Sequence, residues 1–160
     1  MRKTFLVIAA TAALALAATS AAGVVGGTPG DDTLAGTPNH DLIFAKAGDD
    51  TVRARGGSDF VRGGPGADRL YCGAGSDILV GGRGNDSIWG GRGADREFGG
   101  EGDDVLHALA NDNRVDVLDC GPGNDVAWLN TNDPRDRTIG CETVNRIVPS
   151  AEQEAEENAE

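Results

Sequence analysis

The chain has little of what a close-packed core or a catalytic pocket is built from. Its 160 residues include one methionine, one tyrosine, two tryptophans and four phenylalanines, so aromatic residues make up 4%. That is too few to wall a substrate cleft, where apolar and aromatic side chains dominate. There are two histidines, His40 and His107, far apart in the chain. Zinc and iron sites thereby lose their preferred ligand, and neither histidine has a Ser or Cys partner for nucleophilic catalysis. There is no HExxH, no GxSxG elbow and no phosphate loop with a following lysine. Ser58, Ser76 and Ser87 each adjoin a recurring aspartate and read as spacers. No enzyme is expected. Cations are scarce too: 14 Lys and Arg stand against 26 Asp and Glu, a net charge of −12. Such a surface repels phosphate, which disfavours a nucleic-acid partner. After residue 22 no apolar run approaches the roughly 20 residues that cross a bilayer, so membrane insertion is not expected.

What is present begins with MRKTFLVIAATAALALAATSAAG. Arg2 and Lys3 make a basic start, Phe5 to Ala18 an apolar run, and Ser20-Ala21-Ala22 a small-residue exit. That layout predicts a secretory signal peptide over residues 1–22, cleaved after Ala22, and hence a secreted, extracellular protein. An uncleaved anchor is the alternative, and the run is short for one. The remaining 138 residues suit one domain.

From Gly63 to His107 the sequence can be written in nines: GGPGADRLY, CGAGSDILV, GGRGNDSIW, GGRGADREF, GGEGDDVLH. The register runs back through units starting at 54, 45, 36 and 27. It is interrupted by Ala108-Leu109-Ala110 and resumes in units starting at 111 and 120, eleven units in all. The sixth place is Asp in every one: Asp32, Asp41, Asp50, Asp59, Asp68, Asp77, Asp86, Asp95, Asp104, Asp116 and Asp125. The fourth place is Gly in nine units and the eighth is apolar in ten, Glu97 being the exception.

A period of nine suits a coil that turns a corner, runs a short strand and repeats. Six residues make the turn and three the strand, with the eighth-place side chain inward and its neighbours outward. Two units then make one coil of eighteen. The prediction is an all-β solenoid over residues 23–128, with two parallel sheets about 4.8 Å from strand to strand. Residues 129–148 are expected to cap the open end. Residues 149–160, rich in Glu, are expected to form a disordered acidic tail, with a short helix as the alternative.

In such a stack the sixth-place carboxylates form two columns. Two unit charges near 5 Å repel by on the order of 3 kcal/mol at an effective dielectric of 20. The columns therefore call for divalent cations between successive turns. Carboxylate and carbonyl oxygens are calcium's ligands, and magnesium's strict octahedral shell fits less well. The side-chain candidates are Asp32, Asp41, Asp50, Asp59, Asp68, Asp77, Asp86, Asp95, Asp104 and Asp125. The carbonyl candidates are the second-place glycines Gly64, Gly73, Gly82, Gly91 and Gly100, and the fourth-place Gly66, Gly75, Gly84, Gly93 and Gly102. Fifth-place Asp31, Asp49 and Asp103 are possible further ligands. Counting one ion per same-side pair gives roughly six to nine calcium ions.

The units, above all GGRGNDSIW and GGEGDDVLH, resemble the RTX (haemolysin-type) calcium-binding nonapeptide, G-G-x-G-x-D-x-U-x, over residues 27–128. The resemblance implies a parallel β-roll with calcium held between turns by the sixth-place Asp and turn carbonyls. Glu97 departs from it at a core place, so that either Phe98 replaces it by a local shift or the turn packs poorly. Arg114 departs at a glycine place, and Ala45-Lys46 and Ala54-Arg55 replace the leading glycines.

Three cysteines occur in a chain expected to be exported, where disulfides persist. Cys72 and Cys120 fall on opposite sides of the predicted roll, beyond the roughly 7 Å reach of a disulfide. Cys120–Cys141 is the favoured pair, a loop closure contributing about 3 kcal/mol. The function expected is that of a secreted calcium-binding protein that folds on calcium. The alternative is a structural or adhesive surface module rigidified by calcium, with Arg83, Arg92, Trp89 and Phe98 as candidate contacts; the partner, protein or cell surface, is not identified by the sequence.

Overall fold

The computed structural model describes residues 22–157, so the signal peptide expected over 1–22 lies, but for Ala22, outside the described residues. Fourteen strands follow one another: β1 (Val24–Gly26), β2 (Thr33–Ala35), β3 (Leu42–Phe44), β4 (Thr51–Arg53), β5 (Phe60–Pro65), β6 (Arg69–Tyr71), β7 (Ile78–Arg83), β8 (Ser87–Trp89), β9 (Arg96–Glu101), β10 (Val105–Ala108), β11 (Val117–Asp119), β12 (Val126–Asn130), β13 (Arg137–Ile139) and β14 (Thr143–Ile147). Odd-numbered strands form one parallel sheet and even-numbered strands the other, seven strands each. The chain thus crosses from sheet to sheet at every turn, and each strand pairs with the strand two later. This is a parallel β-roll.

The eighth places form the core. In one sheet the register runs Leu34, Val52, Leu70, Ile88, Leu106, Ala127. In the other it runs Val25, Ile43, Val61, Leu79, Glu97, Leu118. Ile43, Val52, Val61, Leu70, Leu79, Ile88, Leu106 and Leu118 have no exposed surface. A side chain wide enough to span the gap is all the interior holds, which is why so few aromatics suffice. Three rings stack instead on the outer side of the even sheet. Trp89 lies 4.4 Å from Tyr71 and 4.7 Å from His107, centroid to centroid, with Arg53 over Tyr71. They occupy ninth places one strand apart, so each stacks on the last.

Pairing is offset by eighteen residues up to β9, and by 21 between β9 and β11 and between β10 and β12. The inserted Ala108, Leu109 and Ala110 absorb the difference and are buried as a bulge. Asn130 Nδ2 fixes it by donating to the Leu109 carbonyl at 2.8 Å.

Residues 129–148 do not lie across the end of the roll as a separate cap. They complete β12 and add β13, paired in register with β11, and β14, paired in register with β12. A disulfide joins Cys120 to Cys141, with 5.2 Å between Cα atoms, and Cys72 is free and buried. The acidic tail carries a short helix, α1 (Ala151–Glu157), where disorder was the main expectation. Ser150 and Gln153 explain it. The Ser150 hydroxyl accepts from the Gln153 amide, and the Gln153 side chain accepts from the Ser150 amide. This reciprocal pair satisfies two free N–H groups of the first turn.

Candidate metal centre

Each sixth-place Asp is the last turn residue before a strand, so its position is set by the ladder that follows. Its carbonyl accepts from the first strand residue of the next coil, as Asp32 does from Thr51 and Asp41 from Phe60, both at 2.9 Å. Its amide donates to the carboxylate of the next Asp on the same side. Along one column, Asp32 donates to Asp50, Asp50 to Asp68, Asp68 to Asp86, Asp86 to Asp104 and Asp104 to Asp125, at 2.7–2.9 Å. Along the other, Asp41, Asp59, Asp77, Asp95 and Asp116 donate in turn to Asp59, Asp77, Asp95, Asp116 and Asp136, at 2.7–3.0 Å. In every case the acceptor is Oδ1.

The second oxygen is left over. Oδ2 of Asp50, Asp59, Asp68, Asp77, Asp86, Asp95, Asp104, Asp125 and Asp136 is buried with no hydrogen-bond partner. A buried, unpaired carboxylate oxygen costs several kcal/mol, more than a protein leaves uncompensated nine times over. Where the first place is glycine, Oδ2 lies close against it, as Asp68, Asp86 and Asp104 do against Gly63, Gly81 and Gly99. A methyl group added at Gly81 would run into Asp86 Oδ2 and lie 2.6 Å from the Gly99 carbonyl. At Gly36 it would lie 2.6 Å from both Asp41 Oδ2 and the Ala54 carbonyl. At Gly63 and Gly99 it would meet Asp68 Oδ2 with the Gly81 carbonyl, and Asp104 Oδ2 with the Cys120 carbonyl. So a carboxylate oxygen and a first-place carbonyl of the next coil converge beside Gly36, Gly63, Gly81 and Gly99. Among the described residues no three His, Cys, Asp or Glu side chains gather on one point. A cation here takes carboxylates with main-chain carbonyls, a donor set that fits calcium.

The electrostatics have the sign expected, though burial leads rather than mutual repulsion. Burial pushes the Asp95 carboxyl up to about 8, those of Asp59, Asp86 and Asp116 to about 7, and those of Asp50, Asp77, Asp104 and Asp136 to about 6. Asp68 and Asp125 are raised for the same reason. The amide bond on Oδ1 pulls each one down, and neighbouring carboxylates push several of them up further.

Asp32 and Asp41, at the N-terminal end, differ from the rest. Oδ2 of Asp32 accepts from the Thr28 amide and from its hydroxyl at 3.0 Å, and Asp41 is bonded by the Thr37 amide and hydroxyl. The fifth places make a second ladder that runs the other way. Asp31 accepts from the Asp49 amide, Asp49 from Ala67, Asn85 from Asp103 and Asp103 from Asn124, at 2.8–3.0 Å. On the opposite side His40, Ser58 and Ser76 do the same for Ser58, Ser76 and Ala94. Fifth-place acids thus bind amides, and Ser58 and Ser76 are more than spacers.

The second- and fourth-place glycines named from sequence all have left-handed backbones, with φ from 90° to 156°. Except at Gly91 and Gly93, their carbonyls lie against the matching glycine of the next coil, where a Cβ would clash. Beside the first-place glycines, the carbonyls that share a point with Oδ2 belong to first places such as Gly81 and Gly99. Lys46 and Arg55 hold the left-handed region at φ 89° and 83°, where the later coils have glycine. Asp136 and Glu142 extend the columns, Glu142 accepting from the Asp125 amide at 2.8 Å. Asp136 had a signal, since Asp-Arg-Thr-Ile repeats the Asp-x-x-x exit of a unit; Glu142 had none. Glu97 stays at its eighth place, fully buried, and Phe98 remains outside, so no local shift occurs. Of the candidate surface contacts, Trp89 in β8 and Phe98 in β9 lie on opposite sheets, and Arg83 pairs with Glu101 at 3.3 Å.

A family model described as the RTX calcium-binding nonapeptide repeat (4 copies) matches residues 26–61, 36–70, 62–97, 71–106 and 98–127. No curated protein matches the chain. Among the described residues no helix is long and apolar enough to cross a membrane.

Proposed function

The chain belongs to the RTX calcium-binding nonapeptide-repeat family, and from that premise we propose that it is an exported protein that folds as calcium fills its two aspartate columns. The observation that carries this reading is the set of nine buried Oδ2 atoms without a partner. Oδ1 of each Asp is committed to an amide, so Oδ2 and the neighbouring first-place carbonyl face the ion. Asp50, Asp68, Asp86, Asp104 and Asp125 serve one column; Asp59, Asp77, Asp95 and Asp136 serve the other. Asp32 and Asp41, already bonded to Thr28 and Thr37, are the weakest members. Bound calcium supplies the positive charge that neither column contains. The N-terminal segment 1–22 supports export. Inside a cell, where calcium is scarce, the carboxylates keep the chain open; outside, binding free energy becomes folding free energy.

Circular dichroism of residues 23–160 at pH 8 tests this. In chelator the spectrum is expected to be coil, and millimolar calcium is expected to bring it to sheet. A full sheet spectrum after exhaustive dialysis against chelator, with no metal found by elemental analysis, would overturn the reading.

A further inference from the structure

Glu97 stands in the apolar file between Leu79 and Leu118, with no exposed surface. Its Oε1 accepts from the Gly90 amide at 3.1 Å. Earlier in the same column that first-place amide finds a main-chain acceptor on the next coil: Ala54 donates to the Tyr71 carbonyl at 2.8 Å and Cys72 to Trp89 at 3.1 Å. After Gly90 the next coil is interrupted, at the matching corner, by the bulge of Ala108, Leu109 and Ala110. The glutamate has taken over a main-chain role where the main chain departs.

The same substitution is visible at the cation cradle. A methyl group placed on Gly90 would lie 2.7 Å from Glu97 Oε1 and 2.8 Å from Asp95 Oδ2. At Gly36, Gly81 and Gly99 the oxygen that shares this point with the aspartate is a carbonyl of the next coil. Beside Gly90 it is a second carboxylate. Two oxygens on one calcium ion, each 2.3–2.6 Å from it, lie at most about 5 Å apart; the distances of 2.7 and 2.8 Å from one point put Glu97 Oε1 and Asp95 Oδ2 beside the same gap, no more than about 5.5 Å from one another. We propose that Glu97 is a calcium ligand in the cradle of Asp95, replacing the carbonyl that the insertion displaces. The inference rests on the calcium reading above. It makes Glu97 a side-chain ligand supplied from the core position of the repeat.

Native mass spectrometry of residues 23–160 in saturating calcium, with a calcium titration followed by circular dichroism, provides the test. Glu97→Leu restores the side chain of both register neighbours and is expected to fold with one ion fewer than the parent. Glu97→Gln keeps an oxygen without the charge and is expected to retain the count while raising the half-saturating calcium concentration about tenfold. An unchanged count and midpoint in Glu97→Leu overturns the inference and leaves Glu97 a buried structural carboxyl. Should Glu97→Leu not fold, an unchanged midpoint in Glu97→Gln overturns it equally. A parent protein that binds no calcium overturns the calcium reading itself.

Discussion

Asp86→Asn separates the two jobs of a column aspartate, because the sign of its effect reverses with calcium. Asp86 Oδ1 accepts from the Asp68 amide at 2.8 Å, a bond that an asparagine oxygen can also accept. Its Oδ2 is buried without a partner, and burial pushes the carboxyl up to about 7. In chelator at pH 8 the folded chain must hold that charge against its environment. A displacement of some three pH units corresponds to about 4 kcal/mol, an upper figure because the metal-free chain relaxes. Removing the charge is therefore expected to stabilise the metal-free roll. With calcium the same change removes an anionic ligand from a central site. Affinity there is expected to fall at least ten- to a hundredfold, the loss seen when even indirect partners of a metal are removed. Circular dichroism reads both, as sheet content gained in chelator, where the parent is coil, and as the midpoint of a calcium titration. Asp125→Asn, near the end of the stack, is expected to lower cooperativity less. A variant no more structured than the parent in chelator and unchanged in its calcium midpoint would refute the reasoning and reduce Asp86 to a turn cap.

Acid is expected to act oppositely on the two states. Asp50, Asp59, Asp86 and Asp95 have raised carboxyls, so their contribution to the metal-free fold is full below about pH 4 and lost as pH rises through about 6 to 8. Sheet content in chelator should rise on acidification, whereas calcium-induced sheet should fall, since the ion needs ionised carboxylates. Gly81→Ala is expected to raise the calcium midpoint because its methyl enters the cradle, while Gly30→Ala, with nothing within 4 Å of the added carbon, should leave the titration unchanged. Arg55→Gly, at φ 83°, should stabilise the calcium-loaded roll by about 1 kcal/mol in urea. Reduction of Cys120–Cys141 should cost about 3 kcal/mol, and hydrogen exchange should localise the loss to β13 and β14.

The period carried most of the fold. Eleven aspartates at one register fixed where strands begin, and alternation fixed which side chain points inward, so both sheets were readable before any coordinates. What was not readable lies where the period fails. Residues 131–147 keep one glycine, Gly140, and lack the repeat's glycine spacing, yet their strands pair onto β11 and β12 because an open ladder end offers unsatisfied amides and carbonyls to any segment that can extend. Asp136 and Glu142 enter the columns through that pairing. Glu97 misled for a related reason: a core place occupied by an acid suggests slippage, but a one-residue slip would turn Phe98 inward and every neighbour with it. Holding the register costs less when the carboxylate can bend back to the Gly90 amide. The fifth-place ladder was invisible because its residues share no chemistry beyond an acceptor atom.

That last contrast bears on why the sixth place is aspartate. Both places perform the same backbone task, an acceptor on the side chain meeting an amide one coil away. At the fifth place Asp31, His40, Ser58, Ser76 and Asn85 all perform it, so the task itself does not demand a carboxylate. At the sixth place eleven units use only Asp, although Asn would supply the same oxygen to the amide. Carboxylate and amide differ there in one atom and one charge, and that atom is the Oδ2 left buried and unbonded along both columns. Neither turn geometry nor ladder hydrogen bonding accounts for an unbonded anionic oxygen repeated nine times down the two columns. An ion between coils accounts for it, and accounts as well for the glycines at Gly63, Gly81 and Gly99, where a methyl group would run into Oδ2.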